Sequence, residues 1–214
     1  MKIFNLKSKG NTALVVALMI VLPLFLFVAG GAGQVQQGTL DWGLGLKKMK
    51  TGEYVSFSAP VHTKSGEEFR IEIAPKADCF CYIVAEIIEE NNEEVEVIFA
   101  GPMKKVSDPL KDFWQSSPLV PTGSRGSISF YVVMSLQEQK VLAERISAYN
   151  ANTGVIQRRA LMNEVVSLRS QVSQYKETPE KPILMGGAAR TASENPGVEF
   201  SGLSTYVKTI SIEH

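Results

Sequence analysis

Charged and apolar residues alternate through Glu68-Phe69-Arg70-Ile71-Glu72-Ile73. That period predicts a strand with Phe69, Ile71 and Ile73 on a core and the charged side chains in solvent. Tyr54-Val55-Ser56-Phe57 alternates more weakly, and Pro75-Lys76-Ala77-Asp78 breaks the pattern as a turn. From Cys79 to Ile88 the chain is apolar except at Glu86, the pattern of a central strand covered on both faces. The acidic stretch Glu89 to Glu94 and the return run Val95-Glu96-Val97-Ile98-Phe99 complete a hairpin with a solvated tip. Ile128 to Met134 forms another core strand ending at Ser135, and Tyr206 to Ile212, rich in β-branched residues, forms the last.

Between Ser135 and Lys176 the period changes to that of a helix. Ser135-Leu136-Gln137-Glu138 has the form of a capping box, in which the serine accepts from a backbone N–H and the glutamate reaches back. Leu142, Ile146 and Tyr149 follow at helical spacing, Asn150 to Gly154 punctuates, and Leu161, Val165, Leu168, Val172 and Tyr175 form a second stripe that stops at Thr178-Pro179. The stripe is shorter than the three to four or so heptads of a coiled coil, so the expectation is a helical hairpin packed on the protein's own sheet. The stretch from Gly101 to Gly126 has little periodicity and several prolines; it is long for a structureless loop, and packing of Phe113 and Trp114 or a short helix would account for it. Lys181 to Gly197 reads as a surface loop.

At the start of the chain, Lys2, Lys7 and Lys9 precede an uncharged apolar run from Ala13 to Ala29 and the small residues Gly30-Gly31-Ala32-Gly33. A cleaved signal has an apolar core of about 7–15 residues and a spanning helix about 20, so the run lies between the two. Cleavage before Ala32 or Gln34 is the preferred reading over a retained inner-membrane anchor. Either one exports the remainder of the chain.

Composition mainly excludes. Twenty-two Lys and Arg balance twenty-two Asp and Glu, a net charge of zero that gives no support to a nucleic-acid partner. Cys79 and Cys81 would share one strand face with Cα atoms about 6.5–7 Å apart, at the limit for a disulfide. They read as buried small hydrophobes. His62 and His214 belong to no metal spacing, no nucleophile elbow is present, and Gly123-Ser124-Arg125-Gly126 lacks the ending of a phosphate loop. The acidic run from Glu86 to Glu96 lacks the spacing and glycine of a calcium loop. Catalytic residues, metal ligands and cofactors are therefore all assigned as none. Asp78, Glu86, Asp108 and Asp112 are where a hidden carboxylate pair would be sought first. Asp108, Asp112, Phe113 and Trp114 form the candidate partner surface, because aromatics on long loops favour interfaces. Lys47, Lys48 and Lys50 read as linker residues, either simply solvated or touching anionic lipid or nucleotide.

Glu67 to Ile73, the break at Pro75 to Asp78 and Cys79-Phe80-Cys81-Tyr82-Ile83-Val84 together resemble the front of the bacterial domain of unknown function 4384 family. Val95 to Phe99 with the Gly101-Pro102 corner, and Pro121-Thr122-Gly123 leading to Phe130 through Ser135, are similar to that family's later strands. The helical hairpin and the missing leucine-phenylalanine-proline corner depart from its pattern. The resemblance implies a small β-sandwich in a bacterial envelope or signalling-associated protein, with no functional residues to carry over.

The expected architecture is mainly β: an immunoglobulin-like sandwich at 53–214 with a helical insertion at 136–176, a linker at 34–52 and the signal or anchor at 1–33. The expected role is non-catalytic, an exported, periplasmic or cell-envelope accessory or sensor module that binds another protein or a surface polymer as a monomeric domain. Membrane contact is confined to the N-terminal segment. An envelope hydrolase with a carboxylate site is the alternative, and an oligomeric scaffold built on the hairpin a further one.

Overall fold

The computed structural model describes residues 38–64, 66–90, 92–108, 112–121, 126–173, 181–182 and 197–214. The signal or anchor expected at 1–33, most of the loop expected at 181–197 and the helix stop at Thr178-Pro179 lie outside the described residues. Among the described residues no helix is long and apolar enough to cross a membrane. Among the described residues the chain is mainly β, with ten strands and two helices in the order β1 (Leu40–Lys48), β2 (Val61–His62), β3 (Phe69–Pro75), β4 (Cys79–Glu89), β5 (Asn92–Met103), β6 (Trp114–Gln115), β7 (Gly126–Ser135), α1 (Lys140–Ala151), α2 (Val155–Ser173), β8 (Lys181–Pro182), β9 (Val198–Leu203) and β10 (Thr205–Glu213). They form two five-stranded sheets, ordered β6-β3-β1-β9-β8 and β2-β10-β7-β4-β5.

Strand alternation builds one apolar core from both sheets. Phe69, Ile71 and Ile73 of β3 and Leu40, Trp42, Leu44 and Leu46 of β1 share it with Cys81 and Ile83 of β4, Val132 and Met134 of β7, and Ile210 and Ile212 of β10. The opposite face of the second sheet carries Tyr82, Val84, Tyr131 and Val133, and there Leu142, Ile146 and Tyr149 of α1 and Leu161, Val165 and Leu168 of α2 form a second core. Burial on both faces is why β4 is almost continuously apolar. The hairpin therefore packs Leu161, Val165 and Leu168 of its stripe onto the protein's own sheet, as its spacing predicts, while Tyr175 lies outside the described residues. The β4–β5 hairpin also forms, pairing Glu89 with Asn92, so its tip is shorter than the acidic run suggests.

Two expectations about the elements need correction, and one strand was not expected. Within the linker expected at 34–52, Leu40–Lys48 is instead a central strand: β1 lies between β3 and β9, and Leu40, Trp42, Leu44 and Leu46 are fully buried. Gly43 and Gly45, poor strand formers, occupy the positions between Trp42, Leu44 and Leu46 and mask the alternation. Nor is Ser135 a helix cap. It ends β7, paired with Phe80 on one side and Thr205 on the other, and α1 starts only after Gln139. Its hydroxyl serves that corner instead, accepting from the Gln139 side chain at 2.8 Å and lying 2.9 Å from the Thr205 hydroxyl. The strand that was not expected precedes the last one. Val198–Leu203 forms β9 against β1, where Phe200 stacks on Trp42 with ring centroids 4.7 Å apart.

Candidate functional site

One edge of each sheet contributes to a shared cleft. β5 is the outer strand of the second sheet and β6 that of the first. Trp114 of β6 meets Phe99 of β5 edge-on, their centroids 5.1 Å apart at an interplanar angle of 63°. Beside this pair lies an open cleft of about 520 Å³. Phe99, Pro102 and Met103 come to it from β5, Pro75 from the end of β3, Asp112 and Phe113 from the approach to β6, and Trp114 from β6 itself. The turn from Lys104 to Ser107 supplies the remaining wall.

Local bonds hold these walls in place. The Val106 N–H donates to the Pro75 carbonyl at 2.9 Å, tying the turn to the first sheet. Asp78 clips the same turn from below, accepting from the Lys104 ammonium at 2.7 Å and the Lys105 N–H at 2.9 Å. Those two bonds, the Lys104 one foremost, hold the Asp78 carboxyl below its ordinary range, and Asp78 in turn raises Lys104. On the far wall the Ser107 hydroxyl donates to the Asp112 carboxylate at 2.7 Å and the Asp112 N–H to the Asp108 carbonyl at 2.7 Å.

Beneath Phe113 the outer face of the first sheet is not solvated. Phe113 and Val106 pack on Tyr54 and Ala74. Glu72, only 1% exposed, accepts a hydrogen bond from the Tyr54 hydroxyl and has the Lys47 ammonium at 3.9 Å. Burial first, and the Glu72 carboxylate second, push the Tyr54 hydroxyl far above its ordinary range. Alternation along β3 predicts Glu72 in solvent; it is buried because Tyr54 and the chain around Val106 and Phe113 cover that face. The three lysines are not linker residues either: Lys47 and Lys48 extend from β1, Lys47 over the Tyr54 ring and Lys48 to Glu67 at 3.1 Å, and Lys50 sits in the turn beyond it.

Of the predicted partner surface, the structure brings Asp112, Phe113 and Trp114 to the cleft, while Asp108 supports it through its backbone. Asp78 and Asp112 are held by the bonds above. Glu86, on the helix-covered side of β4, accepts from the Tyr131 hydroxyl at 2.9 Å, and burial together with that carboxylate lifts Tyr131 to about 12. Cys79 and Cys81 are free and buried on the core face. Burial, with the Asp78 charge adding, pushes Cys79 to about 11, and burial pushes Cys81 well above its ordinary value. His62 stands at the edge in β2, 3.2 Å from Glu213, and His214 pairs its backbone with Gly126. Among the described residues no three His, Cys, Asp or Glu side chains gather where a metal ion could be held.

Sequence reasoning missed Phe99, Pro102, Met103 and Lys105 as parts of the cleft. Pro102 carried the available signal: a proline following a strand pattern marks an edge strand. The arrangement offers half-buried aromatic surface beside exposed lysine and aspartate side chains, which suits holding a ligand. No protein-family model matches this sequence, and no curated protein does.

Proposed function

We propose that the chain is an exported accessory or sensor module of the bacterial cell envelope, non-catalytic, binding another protein or a surface polymer through the cleft between β5 and β6. The observation that carries this reading is the cleft itself, with half-buried Phe99, Phe113 and Trp114 and exposed Lys105 and Asp112 around it. Aromatic side chains beside an accessible cavity are the usual anchors of an interface. Export rests on the lysine-flanked apolar run near the start of the chain. In fold, two sheets around one core with a helical hairpin on the outside fit an immunoglobulin-like sandwich and the resemblance to the domain of unknown function 4384 family.

Site-specific photocrosslinking in the producing cell tests the reading. A crosslinker at Phe113 is expected to capture one envelope component, and a crosslinker at Val166, exposed on α2, to capture none. Equal capture at both positions, or none at Phe113, contradicts it. Recovery of the uncleaved chain from the soluble cytoplasm contradicts the export part.

A further inference from the structure

Among the described residues the outer edge of β5 is closed along its first half and open along its second. In the first half the helical hairpin occupies the outward carbonyls: Arg158 donates to the carbonyl of Glu93 and the Tyr149 hydroxyl to that of Val95. Glu93 and Val95 thus belong to the alternate residues whose backbone faces away from β4. The register then slips, with Val97 opposite Val84 and Phe99 opposite Ile83. That bulge at Ile98 moves the outward set on by one residue, to Ala100 and Pro102. Pro102 agrees independently, because a proline inside a sheet is tolerated where its nitrogen faces the open edge. Ala100 therefore presents both its N–H and its C=O outward, next to the Phe99–Trp114 pair. Among the described residues no strand pairs with β5 on this side.

We propose that this open half of β5 takes up an extended peptide segment of the partner as an added strand, with an apolar side chain entering the cleft against Phe99, Trp114 and Met103. The inference rests on the binding reading above and narrows its partner to a polypeptide. An extended backbone repeats its donors and acceptors every second residue, about 6.8 Å, the spacing at which Ala100 and Pro102 stand. Such strand addition takes affinity from main-chain bonds and specificity from alternate side chains. Exposed Lys105 and Asp112 on the rim offer one charge of each sign to the residues that flank the apolar one. The bulge at Ile98 and Pro102 oppose pairing of this edge with a second copy.

Panning a random hexapeptide phage library on the full chain, against the Trp114→Ala protein as control, supplies the probe. The enriched peptide is then synthesised plain and with alternate amides N-methylated, in both registers. The expected result is binding that one N-methylated register weakens by about tenfold or more and that Ala100→Pro abolishes while the melting temperature holds. Binding indifferent to N-methylation and to Ala100→Pro would mean side-chain docking alone, overturning strand addition while leaving the cleft as the binding site. Unfolding by Ala100→Pro would place that N–H in the β4 ladder and overturn the assignment. Failure to enrich any peptide, with a neutral oligosaccharide retained by the wild type and lost in Trp114→Ala, would likewise overturn it in favour of a polymer.

Discussion

The Tyr149 hydroxyl of α1 donates to the Val95 carbonyl of β5 at 2.5 Å. A helix side chain there takes the place of a neighbouring strand, so the hairpin both covers the second sheet and closes part of its edge. Tyr149→Phe is expected to cost about 1 kcal/mol, the worth of one such bond. Leu161→Ala, at a fully buried position, is expected to cost about 2–5 kcal/mol through lost burial and a residual cavity. Urea denaturation followed by circular dichroism reads both. If light scattering showed a dimer that Leu161→Ala dissolves into a folded monomer, the stripe would belong to an intermolecular contact.

The buried Glu72 carboxylate depends on Tyr54. Tyr54→Phe keeps the ring under Lys47 and removes only the hydroxyl, leaving a buried carboxylate short of a donor. The expected cost is about 1–3 kcal/mol in the same denaturation assay. A change within about 0.5 kcal/mol, the size of an ordinary surface substitution, would show that water serves Glu72 as well as the tyrosine does.

How much of this was legible beforehand varies with what each pattern encodes. Period-two and helical spacing report which face of an element is apolar, and they placed β3, β4, β7, β10 and the hairpin. Glycine carries no hydropathy signal, so Gly43 and Gly45 hid β1. Phe113 and Trp114 stood out as aromatics in an aperiodic stretch. Phe99 looked like one more core residue, because its partner Trp114 comes from a different sheet and nothing local announces that meeting. The burial of Glu72 has the same origin, since alternation along β3 cannot tell what folds over its outer face.

Alkaline destabilisation is expected, with a defined window. Tyr131 keeps its proton to about 12 in the fold and Cys79 to about 11, above their ordinary 10.0 and 9.0. As pH rises the unfolded chain releases these protons first and so binds fewer than the folded one, and stability falls with pH. The contribution is whole below about pH 9 and is lost between there and about pH 12. Urea midpoints across this range should fall, and by less in Tyr131→Phe; a flat profile would contradict the account.

Cys79 and Cys81 should resist alkylation in the folded protein and react at once on unfolding, since both are buried and both thiols are held protonated. Cys81→Ser is expected to cost about 1–3 kcal/mol by burying a hydroxyl without an assured partner. Rapid labelling of the native chain at neutral pH would show that the core opens at the start of β4.

That the cleft between β5 and β6 is the binding surface is most directly tested by calorimetric titration of the component crosslinked at Phe113 into wild type, Trp114→Ala and Val166→Asp. Truncating the aromatic anchor is expected to weaken binding by at least about 2 kcal/mol, roughly thirtyfold, while the α2 variant binds as wild type does. Equal affinity for wild type and Trp114→Ala, with both folded, would place the binding surface elsewhere.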